Sequence, residues 1–444
     1  MSWYNFGVRE VEVEFAVRDG AHIAYEVFGS GPVDLLVSPG SAFPIDLMWD
    51  LPQLAEFMEA LGRVARVIAF DGRGQGASDP IPTADGVADI EAQASDVLSV
   101  MDAAGSDRAS MLCLHSAPQS LLFAATYPQR VRSLIIPNVR SSFPELQLLS
   151  AEERAAAAMS LTTPLGLRRH NPRLAHDPVL QAWWGRAHRL GRSRQESVRQ
   201  LEWASQIDIG AVLEQLRTPT LVFHRSGNQV WDLQTSRDTA AKIPNARFVE
   251  LPGSENDIFL GDTSEVLAQI VRFLREPEAT ADVDDRQLAT VLFTDIVAST
   301  ERLAEVGDQA WRTILDDHDR TIDQIVSSHR GRVVNRQGDG MLATFDGPAR
   351  AVRCAGAIRD QLAADGMAVR AGLHTGEIEL RGDDVAGLAV HTGARVAALA
   401  GAGEVLVSST VKDLVAGAGI EFTDRGEHEL RGVPGTWRIY AVAT

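Results

Sequence analysis

The sequence predicts two domains in series: an α/β domain on a mostly parallel, doubly wound sheet, then a smaller α+β domain. Three observations lead there. Up to residue 274, short apolar runs alternate with helical patterns, as in repeated βαβ units. A polar, acidic stretch containing Pro277 then interrupts the pattern and reads as an exposed connector. Beyond it the order becomes β-α-β-β-α-β, which suits a ferredoxin-like core. The expected boundaries are 8–274, a linker at 275–286, and 287–444.

In the first domain, residues 11–17 and 22–28 alternate apolar with polar around Asp19-Gly20 and predict an opening hairpin. Apolar runs at 33–37, 64–70, 109–114, 134–137, 219–224 and 246–251 predict buried strands, with helices such as 53–61 and 90–104 between them. From about 141 to 215 the strand signal gives way to helical, arginine-rich sequence containing Trp183 and Trp184, which are read as packing residues. Arg186, Arg189, Arg192, Arg194 and Arg199 suit a solvated helix face, or an interface to an acidic partner. In the second domain, a strand leads to Asp295 and a long amphipathic helix is expected over 301–329. A hairpin follows around Gly338-Asp339-Gly340, then a helix over 349–365, strands at 368–373 and 377–380, a helix over 390–399 and a strand at 404–407.

Composition narrows the function. The chain has 444 residues, 45% hydrophobic and 23% charged, as in ordinary globular proteins. A net charge of −18 argues against nucleic acid and anionic membrane as partners. The two cysteines, Cys113 and Cys354, are too distant in sequence for a small disulfide framework. No leader and no apolar run of about 18 residues is evident, so a cytoplasmic protein without a membrane span is expected.

The segments SPGSAF (38–43), DGRGQGASD (71–79), SLLFAATYPQRV (120–131), HRSGNQV (224–230) and ELPGSEND (250–257) fall in the order found in α/β-hydrolases, which the first domain resembles, with 141–215 as its cap. The glycines at 72, 74 and 76 do not have the spacing of a dinucleotide loop. The family's chemistry needs a serine on a tight turn between small residues, an acid and a histidine. Here the turn reads Leu112-Cys113-Leu114-His115-Ser116-Ala117-Pro118, with Leu114 and Pro118 flanking Ser116. The acid position is Asn228 and the histidine position Asn256, neither of which acts as a base near pH 7. The expectation is a hydrolase-like domain without triad hydrolysis.

The second domain turns on LFTDIVAST (292–300), two β-formers running into a carboxylate and then small hydroxyl residues. With VVNRQGDGMLATF (333–345) it offers two carboxylates from neighbouring strands, able to hold a pair of divalent ions. Together with RAGLHTGEIEL (370–380), DDVAGLAVHTGARVAALA (383–400) and RGEHELRGVPG (425–435), these segments resemble the class III nucleotide cyclases. The resemblance implies attack of a ribose 3′-hydroxyl on its own α-phosphorus, expelling pyrophosphate. It implies Asp295, Asp339 and the Ile296 carbonyl as ligands of two Mg²⁺ or Mn²⁺ ions per site. It further implies Phe293 and the amides of Val297, Ala298, Ser299 and Thr300 around the nucleotide, and Arg395 at the α-phosphate. Arg431 stands in place of a phosphate-binding lysine.

Two positions depart from the family. Asn335 replaces a purine-reading lysine, which weakens discrimination, while Asp384 favours the adenine amino group. His391 replaces an asparagine one turn before Arg395. ATP is the expected substrate, with GTP the alternative. A head-to-tail homodimer would share two sites, with metal aspartates from one subunit and purine and arginine groups from the other. The hydrolase-like domain is expected to regulate or scaffold the cyclase; the alternative is a sensing module whose emptied cleft binds a small molecule and controls a purine cyclase of relaxed specificity.

Overall fold

The computed structural model describes residues 12–18, 20–38, 43–81, 90–114, 117–276 and 286–443. The expected turn at Asp19, Ser116 of the hydrolase-like turn with His115 before it, and most of the linker lie outside them.

The first eight strands are β1 (Glu14–Arg18), β2 (Ala21–Phe28), β3 (Asp34–Ser38), β4 (Arg66–Phe70), β5 (Ala109–Cys113), β6 (Val131–Pro137), β7 (Thr220–Arg225) and β8 (Ala246–Leu251). They form one sheet in the order β1-β2-β4-β3-β5-β6-β7-β8, antiparallel up to the β2–β4 pair and parallel thereafter. Helices α1 (Pro52–Gly62), α2 (Ile90–Ala103) and α3 (Ala117–Thr126) fall between the first six strands. The cap is α4 (Pro144–Gln147), α5 (Ala151–Leu161), α6 (Pro164–His170), α7 (Pro178–Gly191), α8 (Arg194–Gln206) and α9 (Gly210–Leu213), and α10 (Leu233–Ala241) and α11 (Ser264–Arg275) complete the unit. Apolar side chains fill both faces of the sheet, Val37 and Phe223 on one side, Ile68 and Leu134 on the other, as a parallel sheet requires. Trp183 and Trp184 are buried and donate to the carbonyls of Leu47 and Leu161, so both pack the cap. The 71–79 loop wraps a carboxylate: Asp71 accepts from the amides of Ile45 and Ala77. Burial lifts its pKa to about 7 against those two bonds.

The second sheet contains β9 (Arg286–Ile296), β10 (Arg332–Gln337), β11 (Gly340–Phe345), β12 (Val369–Arg381), β13 (Asp384–Ala386), β14 (Val405–Ser408), β15 (Phe422–Glu429) and β16 (Thr436–Val442). Its order is β10-β11-β9-β12-β14-β16-β15, with β13 on β12. The first four of these have the ferredoxin-like arrangement. Helices α12 (Ser299–Val306), α13 (Asp308–Ser328), α14 (Pro348–Ala364), α15 (Leu388–Leu399) and α16 (Ser409–Leu414) lie between the strands.

Two expected elements differ. The single helix over 301–329 is two helices, broken at Gly307, whose φ of 80° leaves the helical region. The expected strand pair 368–373 and 377–380 is one 13-residue strand. Gly376 is no turn: it makes room, since a Cβ there would lie 2.8 Å from the Ala389 methyl.

No helix among the described residues is long and apolar enough to cross a membrane.

Candidate active site

Strand β9 separates two environments by alternation. Leu292 and Ile296 enter the cluster shared with α13 and α14, including Ile322, Val326 and Ile358. Val291 and Phe293 face the other side, toward the cluster containing Ala389 of α15. Asp295, two residues beyond Phe293, shares that second face at the strand's end. Helix α15 lies against the face because two glycines permit it. A Cβ on Gly372 would overlap the Ala397 backbone, and one on Gly393 would meet Val291 at 2.5 Å.

Antiparallel pairing sets the segment that carries the second carboxylate beside the strand that carries the first. Met341 pairs with Thr294, so the β10–β11 hairpin tip, Gly338-Asp339, adjoins the end of β9. Asp339 Oδ2 is buried without a hydrogen-bond partner, a costly state for a carboxylate oxygen unless a cation meets it. Asp295 already has a cation: Arg370, its direct cross-strand neighbour, reaches Oδ2 through Nη2 at 2.5 Å and Nε at 3.0 Å. The residues thus fit a hard cation: one carboxylate oxygen lacks a partner, and the other carboxylate is held by a side chain that an ion can displace.

Asn335 reaches this face through a β-bulge. The register slips between Val333 and Asn335. Val333 packs with the α13 side and Val334 with the α15 side. Asn335 then lines the α15-side cavity, while Arg336 returns to Asp319 and Asp323 of α13. Unbroken alternation would have turned Asn335 away from the site. The cavity has a volume of about 420 Å³ and is lined by Phe293, Asp295, Asn335, Arg370 and Asp384, with α15 as its wall.

The other expected residues are distributed as follows. Val297 N–H donates to the Ala368 carbonyl at 2.9 Å, so that amide is spent within the fold and does not serve a phosphate. Ala298 has φ 58° and precedes α12, whose N-terminus has no side-chain cap; Ser299 and Thr300 form its first turn. Asp384 is exposed and accepts from its neighbour's amide, Val385 N. His391 and Arg395 lie on the exposed side of α15, and Arg395 Nε donates to the Arg431 carbonyl at 3.0 Å. One chain therefore gathers Asp295, Asn335 and Asp384, which the resemblance assigned to different subunits, and turns His391, Arg395 and Arg431 elsewhere.

The model of the adenylate and guanylate cyclase catalytic domain matches residues 282–444. The second domain is a nucleotide cyclase domain. The α/β hydrolase fold matches 49–263, so a hydrolase-fold domain precedes the cyclase domain in the chain. A putative adenylate cyclase of Rhizobium meliloti is 33% identical over 158 residues, covering 33% of this chain and 27% of that protein. An uncharacterised protein of Mycobacterium tuberculosis is 33% identical over 150 residues, covering 33% of this chain and 52% of its own length. The chain thus spans about half or less of these curated relatives. A hydrolase from Pseudomonas aeruginosa superposes with a TM-score of 0.51 at 25% identity, covering 60% of this chain and 99% of that one.

In the hydrolase-fold domain, Asn228 and Asn256 do meet. Asn228 Nδ2 donates to Asn256 Oδ1 and to Asn138 Oδ1, both at 3.2 Å, and Asn228 Oδ1 accepts from the amides of Val230 and Trp231. These amides satisfy one another and carry no titrating group.

Sequence reasoning missed Arg370. Its signal was available only through pairing, because nothing local in RAGLHTG shows that the arginine stands opposite Asp295.

Proposed function

We propose that the chain is an adenylate cyclase, converting ATP to 3′,5′-cyclic AMP and pyrophosphate, with a hydrolase-like domain that no longer hydrolyses and instead regulates or scaffolds. The observation that carries this reading is the meeting of Asp295 with the Asp339 hairpin, one carboxylate held by Arg370 and the other left with an unpartnered oxygen. Asp295, Asp339 and the Ile296 carbonyl would hold two Mg²⁺ or Mn²⁺ ions, whose charge would acidify the ribose 3′-hydroxyl and neutralise the triphosphate. The hydroxyl oxygen forms its bond to the α-phosphorus as the bond to pyrophosphate breaks, and the proton passes to solvent.

The protein's own groups do the positioning. Arg370, released from Asp295, offers a fork of N–H donors to phosphate oxygens. The amides of 298–300 meet the β- and γ-phosphates at the α12 N-terminus. Asp384 accepts from the adenine 6-amino group, and Asn335 donates to the ring nitrogen beside it. Arg395 meets charge on the α-phosphate, with His391 at the ribose and Arg431 at the outer phosphates. These last three groups face away from the cavity of their own chain, which supports a homodimer in which they serve the partner's site. The Rhizobium relative's name supports adenine over guanine.

A second reading makes the hydrolase-like cleft a small-molecule sensor. The Asn138–Asn228–Asn256 cluster favours it, being neutral hydrogen-bonding groups where hydrolysis needs charge.

The test is product formation from equal ATP and GTP with magnesium or manganese. Faster cyclic AMP formation supports the assignment, and a preference for GTP refutes it.

A further inference from the structure

Helix α14 of the cyclase domain supplies no cap of its own. Its N-cap residue is Gly347, and no side-chain cap closes the end from within. The cap comes from the other domain. Glu91, in the first turn of α2, accepts from the amides of Ala349 and Arg350, and its carboxylate lies 3.6 Å from Arg350 Nε. Beside it, Tyr127 Oη donates to Asp346 Oδ2 at 2.6 Å, and Asp346 Oδ1 accepts from Arg350 Nη1 at 2.6 Å. Glu91 is only 5% exposed, so this is a closed contact rather than a surface ion pair. Gly347 makes it possible. Its φ of −153° suits any residue, but a Cβ there would overlap the Glu91 carboxylate.

The gripped segment leads to the site. Phe345 ends β11, and the other end of that strand, Gly340, follows Asp339. Strand β9 is held by the same domain: Leu288 is buried in the hydrolase-fold core with Ile90 and Leu121, and the strand runs on to Asp295. Glu377 of β12 pairs with Arg217 at 3.1 Å, and Arg370 is on that strand. The three strands that carry Asp295, the Asp339 hairpin and Arg370 are thus each fastened to one body at points away from those residues. A paired strand is stiff along its length, so the fastened points set the relative height of the two carboxylates.

We infer that Glu91, with Tyr127 and Asp346, is an interdomain latch through which the hydrolase-like domain positions the cyclase carboxylates. Glu91 is then a positioning residue for a reaction it never touches. The inference rests on the cyclase reading for its kinetic arm and on geometry alone for its thermal arm.

The experiment uses the full chain, Glu91→Ala, and the double variant Glu91→Ala with Gly347→Asp. The aspartate fills the vacated space and caps α14 from within its own domain. Calorimetry should show one unfolding transition for the wild type and two for Glu91→Ala. The cyclisation rate of Glu91→Ala should fall about ten- to a hundredfold, as for a slight misplacement of reacting groups, with the nucleotide KM little changed. The double variant should regain the melting temperature of the cyclase transition and not the rate. A single transition in Glu91→Ala would overturn the latch. Recovery of rate in the double variant would reduce Glu91 to a helix cap. A wild type without cyclic product would refute the cyclase reading and leave the calorimetry to decide the latch.

Discussion

Arg370→Ala should move two properties of the cyclase site in opposite directions. Arg370 holds Asp295 at 2.5 and 3.0 Å, with the two side chains 39% and 35% exposed. A pair this open adds at most about 1 kcal/mol to stability, so the fold should survive its loss. A guanidinium about 5 Å from a divalent cation on Asp295 repels it by roughly 2–7 kcal/mol, for dielectric constants between that of water and about 20. Exposure favours the lower half of that range. Removing the arginine should therefore tighten metal binding by about thirtyfold or more. Turnover should fall by roughly 10²–10³, the usual loss when a fixed donor to developing charge is removed. Arg370→Lys keeps the charge without the fork and should fall between. The assay is Mn²⁺ titration of the nucleotide-free protein by electron paramagnetic resonance, with initial rates measured alongside. Weaker Mn²⁺ binding in Arg370→Ala, or an unchanged turnover, would refute the assignment of Arg370 as a displaceable counter-ion.

Three further outcomes are expected. Asn335→Lys replaces an amide that donates or accepts with a group that only donates, so competition assays should show the ATP:GTP preference rising by about tenfold or more; no change would detach Asn335 from the base. Gly372→Ala should force α15 away from the sheet and cost about 1–3 kcal/mol or more in urea unfolding, with loss of nucleotide binding; a neutral variant would show that the close approach is not required. His374, buried beside Ser408 and Trp437, has its pKa pushed down to about 4 by burial. Its contribution is intact above the unfolded value of about 6.5 and is lost as pH falls through 4, up to roughly 3 kcal/mol. Urea unfolding of the wild type should steepen with acid over that window relative to His374→Gln, and parallel curves would contradict it.

The strands of the hydrolase-fold sheet were legible because each is a short apolar run bounded by turn residues, and buried parallel strands need little else. The cyclase residues were legible as ordered segments, and the β9–β11 register does bring the Asp295 and Asp339 segments side by side. What escaped depends on pairing or on the neighbouring domain. Gly376 reads as a turn when its role is to admit α15. Gly307 is one glycine inside a sustained helical pattern, and only its positive φ shows the break. The bulge that turns Asn335 inward is a two-valine step that alternation alone does not resolve. Arg370 and Glu91 act across chain separations of 75 and 258 residues, and a single sequence carries no local mark of such partners.

The central claim, that Asp295 and Arg395 act on one nucleotide from two chains, is tested most directly by mixing two dead variants. Asp295→Ala and Arg395→Ala should each make no measurable cyclic AMP alone. Random pairing makes half the dimers mixed, each with one intact site, so an equal mixture should recover about a quarter of the wild-type rate. An inactive mixture of folded, dimeric variants, or full activity in either variant alone, would contradict the account.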